Sequence, residues 1–209
     1  MIVVMVVIVV VSGHGGPPGS DLRYNIAMSG RSRTIAVADC IDRLNAAIGR
    51  SVAWLCLLVV LVQFTVVVMR YMFGLGSIWL TETIIYGHAA LFMLAAAWTL
   101  REGGHVRVDI FYADAGPRRR ALIDLCGALF LLLPFMLVLL YFAVPYVARS
   151  WAIWETSRET SGLPAVYLLK TLIPLFALLL GLQGVAQAVR AAALLSPRPA
   201  VRGEGEGRP

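Results

Sequence analysis

Charge is scarce in this chain. Charged residues make up 14% of its 209 positions, whereas 59% are apolar. Soluble globular domains carry about a quarter charged residues. A soluble fold of this size has no way to hide so much apolar surface, so lipid is the expected solvent. Cysteine is scarce too. Cys40, Cys56 and Cys126 form no CxxC pair, and the last two lie inside apolar runs. A disulfide framework is thereby excluded, which leaves small packing residues. The three histidines are His14, His88 and His105. Only His88 lies in an apolar run, so a bis-histidine haem, which needs two facing ligands, is excluded. The chain also lacks a P-loop, an HExxH helix, a dinucleotide Gly-rich turn and a nucleophile–base pair. No catalytic residue, metal site or cofactor is expected, and an ATP-driven pump would need its ATPase elsewhere.

The net charge of +6 raises the question of nucleic acid. The basic residues sit in short segments between long apolar runs, with no basic stripe interleaved with aromatics, so nucleic acid is not an expected partner. That placement is a membrane-topology signal. Four apolar runs, at about 52–69, 79–100, 121–147 and 165–189, are near or above the roughly 20 residues a helix needs to cross a bilayer. They are continuous, unlike the short alternating segments of a β-barrel, so four transmembrane helices are expected. Ahead of them, Val37, Ile41, Leu44 and Ile48 recur at helical steps, and Asp39 and Arg43 lie four apart on another face. This predicts an amphipathic interfacial helix over 37–50, in which Asp39 and Arg43 can pair. The fold class is therefore all-α integral membrane: four transmembrane helices preceded by an amphipathic interfacial helix.

The ends differ from this domain, which spans 37–192. Met1 to Val11 is apolar but too short to span, and a Gly/Pro/Ser stretch follows it. Residues 1–36 are expected to be disordered or a start-site artefact, with Met28 the suggested start. Residues 193–209 should form a disordered tail. Pro134, Pro145 and Pro174 should kink the third and fourth spans. Gly181, Gly184 and Ala188 should admit close helix contact in the fourth. Fourteen of the eighteen Lys and Arg lie in the segment before the first span, the second loop and the C-terminal end. The positive-inside rule places those three regions, and so both termini, in the cytoplasm.

Few residues are placed to carry chemistry. Glu82 lies one turn into the second span, where an ionisable group is costly and marks a functional candidate. A wet position at the outer interface is the competing reading. His88, Gln63, Gln183 and Gln187 read as polar contacts between helices or with a partner. In the second loop His105 and Asp109 are four apart, but no third or fourth ligand accompanies them. A local hydrogen bond or an interface contact is expected there. The third loop carries Trp151 and Trp154, as in an interfacial aromatic belt, with Glu155 and Glu159 making it acidic. The spans hold few charges and show no inverted repeat, a poor basis for a self-sufficient transporter.

Several of these pieces fall in a known order. Arg70-Tyr71-Met72-Phe73-Gly74 precedes Trp79-Leu80-Thr81-Glu82. Then come Arg101, Gly104 and His105-Val106-Arg107-Val108-Asp109, followed by Glu155-Thr156-Ser157 and Gly162-Leu163-Pro164. Lys170, Ile173-Pro174 and Gln183 complete the order. Over about residues 37–192 the chain resembles the small membrane subunit of tripartite ATP-independent periplasmic (TRAP) transporters. It departs at Thr83, where members often carry a second acid after Glu82. The resemblance implies two protein partners in the bacterial inner membrane and periplasm: a large TRAP membrane subunit and a periplasmic solute-binding protein. It implies sodium-driven import of an organic acid, with this subunit as scaffold. Glu82, His105, Asp109, Glu155 and Glu159 are then partner-interface candidates, not catalytic ones. The alternative is a membrane anchor or electron-transfer subunit of a redox complex, for which His88 is the discriminating residue. A regulatory four-helix membrane protein is a third option.

Overall fold

The structure is a computed structural model that describes residues 33–104 and 116–195. The expectations for the first 32 residues, for His105 and Asp109, and for the tail from 196 lie outside the described residues. The described residues are mostly helical. The helices are α1 (Arg33–Phe73), α2 (Ile78–Arg101), α3 (Pro117–Ala152) and α4 (Val166–Leu195). All four are long and apolar enough to cross a membrane. In hydrocarbon every backbone polar group must be satisfied within the protein, and helices do this inside one segment.

The expected interfacial helix is not a separate element. Residues 37–50 run without a break into the first span, making one helix of 41 residues, about 60 Å long at 1.5 Å per residue. That is twice the hydrocarbon thickness, so its first half extends past the span. Ala38, Asp42, Asn45, Ala46 and Gly49 turn inward, while Val37 and Leu44 are exposed. Arg43 Nε donates to the backbone carbonyl of Asp39 at 3.3 Å, and the Asp39 carboxylate takes Arg190 of α4. Small and polar residues make the helix contact here.

Local chemistry sets the ends. α1 stops at Gly74, whose φ of +66° suits glycine. Ser77 caps α2, its Oγ accepting from the Leu80 N–H at 3.4 Å. At the other end of α2, Gly103 adopts φ +72°. The Gly103 N–H then reaches Leu100 O at 3.1 Å and the Gly104 N–H reaches Thr99 O at 2.9 Å, a Schellman ending. In α3, Gly127–Leu132 is a π-helical segment just ahead of Pro134. The Leu133 N–H skips back five residues to Ala128 O. Pro134 has no N–H and its ring crowds the carbonyl four residues before it, and the wider turn accommodates both demands. α3 and α4 continue through Pro145 and Pro174.

α4 is the hub. It packs against α1, α2 and α3, and α1 packs against α2, whereas α3 has no comparable contact with α1 or α2. A third of the most apolar stretch of α4 is buried, against 6–11% for the other helices. The core joins Ala97 of α2, Met136 of α3 and Ala177, Leu179 and Leu180 of α4. Small residues let the helices close. A Cβ on Gly49 of α1 would meet Trp98 Cβ of α2 at 2.5 Å, and one on Gly184 of α4 would meet Leu132 of α3 at 2.6 Å. A Cβ on Gly181 would stand 3.6 Å from Met136, so of the two glycines among the three small residues expected there, Gly184 makes the tighter contact.

Candidate functional site

The antiparallel helices bring two polar clusters together, one at each end of the bundle. The first lies where the start of α1 meets the ends of α2 and α4. Arg190 Nη1 approaches Asp42 Oδ2 at 2.6 Å, and its Nη2 approaches Asp39 Oδ1 at 3.1 Å. Arg101 Nε lies 3.5 Å from the same Asp42 oxygen. Below this ionic layer is an amide layer. Gln183 is 0% exposed and Asn45 1%. Gln183 Nε2 donates to Asp42 Oδ1 at 2.9 Å, and Asn45 Nδ2 donates to Gln183 Oε1 at 2.7 Å.

The direction of that chain follows from chemistry. An ionised carboxylate only accepts hydrogen bonds, so Asp42 fixes the amide nitrogen of Gln183 toward itself. Gln183 Oε1 must then face Asn45 and takes its N–H. The order continues to Leu179 O, which lies 3.4 Å from Asn45 Nδ2. Gln187 Nε2 adds a bond to Leu100 O at 3.3 Å, tying α4 to the end of α2. Gln183 and Gln187 thus make the interhelical contacts expected of them, while Gln63 is exposed on α1. Sequence reasoning missed Asp42, Asn45, Arg101 and Arg190. The signal was present as a stripe of Ala38, Asp42, Asn45 and Gly49, small and polar residues at three- and four-residue steps.

The second cluster lies at the opposite end, around the loop joining α3 to α4. Glu82 of α2 accepts from Ser157 Oγ and, at 2.5 Å, from the Leu163 N–H. Both its oxygens are therefore engaged by the loop. The Ser157 hydroxyl also accepts from the Glu159 N–H at 3.2 Å, and the Glu159 carbonyl accepts from the Gly162 N–H at 3.0 Å. The Glu159 side chain is exposed, and its backbone supplies these contacts. Gly162 is required by space. A Cβ there would overlap Ser157 Oγ and come within 2.7 Å of Glu82 Oε1.

Glu155 forms the other half of this cluster. It pairs with Lys170 of α4 and accepts from Ser150 Oγ of α3 at 2.7 Å. The Lys170 hydrogen bond, followed by that of Ser150, holds the Glu155 carboxyl below its ordinary range. Lys170 Nζ also lies 4.3 Å from the centre of the Tyr146 ring, within cation–π range. Trp151, Trp154 and Tyr167 stack edge-on beside the pair, with centroids 4.7–5.6 Å apart. Trp154 has φ +47°, an uncommon conformation for a bulky side chain. His88 is half-buried on α2. Among the described residues no group of three or more His, Cys, Asp or Glu could hold a metal ion.

Fold and site together define a four-helix membrane-protein class in which the polar side chains at both ends tie helices and loop to one another. A family model described as tripartite ATP-independent periplasmic transporters, DctQ component, matches residues 59–194. The chain belongs to this family, the small permease subunit of TRAP transporters, which is a family of transporter components and not of enzymes. No curated protein and no solved structure matches the chain.

Proposed function

We propose that this subunit is the scaffold of a sodium-gradient-driven TRAP transporter that imports an organic acid delivered by a periplasmic binding protein. It works beside a large membrane subunit in the bacterial inner membrane, with both termini in the cytoplasm. The family supports the tripartite setting, and the Lys and Arg distribution supports the orientation. The observation that carries the scaffold role is the use made of polar groups. Asp42, Gln183, Glu82 and Glu155 are spent on bonds between elements of this chain. A solute path needs polar groups facing a route, and a brace needs them facing each other. Large apolar side chains such as Trp54, Phe64, Phe130 and Tyr141 cover the outside of α1 and α3, as suits a bundle that meets lipid and a second membrane protein.

In this reading the first cluster faces the cytoplasm and sets how α1, α2 and α4 pack. The second faces the periplasm and holds the α3–α4 loop in one shape, where Glu155, Glu159 and the face built on Glu82 can meet partners. His105 and Asp109 are proposed contacts on the cytoplasmic side. The test is co-expression with the other two components followed by purification and reconstitution. The small and large subunits should co-purify, and organic-acid uptake should require the sodium gradient and this subunit. A chain that is monodisperse alone, in cells whose uptake survives its deletion, would overturn the proposal.

A further inference from the structure

We propose that the outward face of α3 is a docking site for an anionic phospholipid, with Arg118 and Arg119 taking the phosphate and the groove beside them taking an acyl chain. The inference rests on placing the bundle in a bilayer and not on the transport reaction. A shallow groove runs along α3, lined by Leu122, Ile123, Cys126, Gly127, Phe130 and Leu131. These residues form two adjacent rows of four-residue steps. Arg118 heads the row of Leu122, Cys126 and Phe130, and Arg119 heads the row of Ile123, Gly127 and Leu131. All eight are exposed, while Ala121 and Ala128 are buried on the same helix.

Three features make this stripe one surface. A four-residue step on a regular α-helix overshoots a full turn by about 40°, so such rows wind around the axis. The π-helical turn that begins at Gly127 holds more residues per turn and brings the rows back. A Cβ at Gly127 would meet nothing within 4 Å, so the floor of the groove is open. Helical side chains lean toward the N-terminus, which carries Arg118 and Arg119 past the start of α3, to the headgroup side of the groove.

Charge selects the occupant. The first turn of α3 holds no acidic residue, Gly116 gives it no side-chain cap, and Pro117 stands at its head. The positive end of the helix dipole therefore adds to the two guanidinium groups. A guanidinium matches a phosphate with two parallel hydrogen bonds. A shallow apolar surface with a cationic head has the polarity of an anionic lipid, its headgroup above its chain.

The test uses the full chain, purified in detergent and titrated with phosphatidylglycerol or with phosphatidylcholine of the same acyl chains. Bound lipid is counted by native mass spectrometry. Phosphatidylglycerol should be retained at about tenfold lower concentration, on the scale of the attraction of basic side chains to anionic lipid. The Arg118→Gln/Arg119→Gln double variant should lose that preference, and Arg118→Lys/Arg119→Lys should keep most of it. Gly127→Trp, which fills the groove, should lower retention of both lipids. Equal retention of the two lipids by the wild-type chain, or an undiminished preference in the double Gln variant, overturns the proposal. A photoreactive group on Cys126, with Cys40 and Cys56 changed to Ser, should label lipid in membranes of the complete transporter. Labelling of a protein instead would assign the groove to a partner and overturn it equally. Neither readout depends on uptake, so failure here leaves the transporter reading standing.

Discussion

Replacing Glu82 with Gln keeps the shape of the side chain and changes what it can accept. In the native protein its two oxygens take the Leu163 N–H, at 2.5 Å, and the Ser157 hydroxyl. The Leu163 N–H cannot reverse, so the amide oxygen of Gln must face it and the amide nitrogen must face Ser157. Ser157 already accepts from the Glu159 N–H at 3.2 Å. It would then accept twice, and its own proton would lose the carboxylate. Two charge-assisted bonds become neutral ones. At roughly 1.5–3 kcal/mol each against 0.5–1.5 for a neutral bond, the loop should lose about 1–3 kcal/mol. Local opening of the α3–α4 loop should rise roughly 5- to 150-fold. Arg158 lies exposed within that loop and offers a trypsin site. The rate of cleavage after Arg158 in detergent or nanodiscs reads the opening directly. Ser157→Ala should raise cleavage less, because the Leu163 bond survives it. A Glu82→Gln protein cut no faster than the wild type would refute the clamp, and unchanged uptake by the complete transporter would return Glu82 to the wet-interface reading.

Four further outcomes follow from the same geometry. Gly162→Ala should loosen the loop by about 1–3 kcal/mol, since its Cβ overlaps Ser157 and crowds Glu82 at 2.7 Å; cleavage after Arg158 and the melting temperature check it. Gly49→Ala should destabilise the α1–α2 contact by a similar amount, because Trp98 Cβ stands 2.5 Å from the new atom; thermal unfolding in detergent measures it. Asp42→Ala should cost about 1–3 kcal/mol, since it takes the shared carboxylate from Arg190 and Arg101, which keep Asp39 and Glu102, and leaves Gln183 Nε2 unpaired; a melting temperature within error of the wild type refutes it. Glu155 has its folded pKa depressed below the ordinary 4.5, first by Lys170 and then by Ser150. Its contribution is therefore fully present above pH 4.5 and is lost as pH falls through the lower folded value. Melting curves of wild type and Glu155→Gln should converge across that acid window, and curves that stay parallel count against the pair.

Much of this protein was legible before any coordinates. Four uninterrupted apolar runs require helices that satisfy their own backbone bonds in lipid, so the number of spans follows from composition and length alone. The family resemblance rests on His105-Val106-Arg107-Val108-Asp109 and on the order of the fragments around Arg70, Glu82, Gly162 and Lys170.

Other features depended on which distant residues meet. Residues 37–50 carry an apolar stripe that in water marks the buried face. Here that stripe is divided: Val37 and Leu44 are exposed, Ile41 is half-buried and Ile48 packs against the core. The inward face is instead chosen by Ala38, Asp42, Asn45 and Gly49. Asp42 finds Gln183, 141 residues away, and Arg190 of α4, and no periodicity within α1 can report partners supplied by another helix. Glu82 looked like a lone intramembrane acid until the α3–α4 loop folded back 75 and 81 residues later to supply Ser157 and the Leu163 N–H. The chain alone determined that these helices belong in a membrane, since hydropathy is a property of each segment. Only the tertiary structure decided which polar groups tie them together, since a hydrogen bond is a property of two places brought within 3 Å.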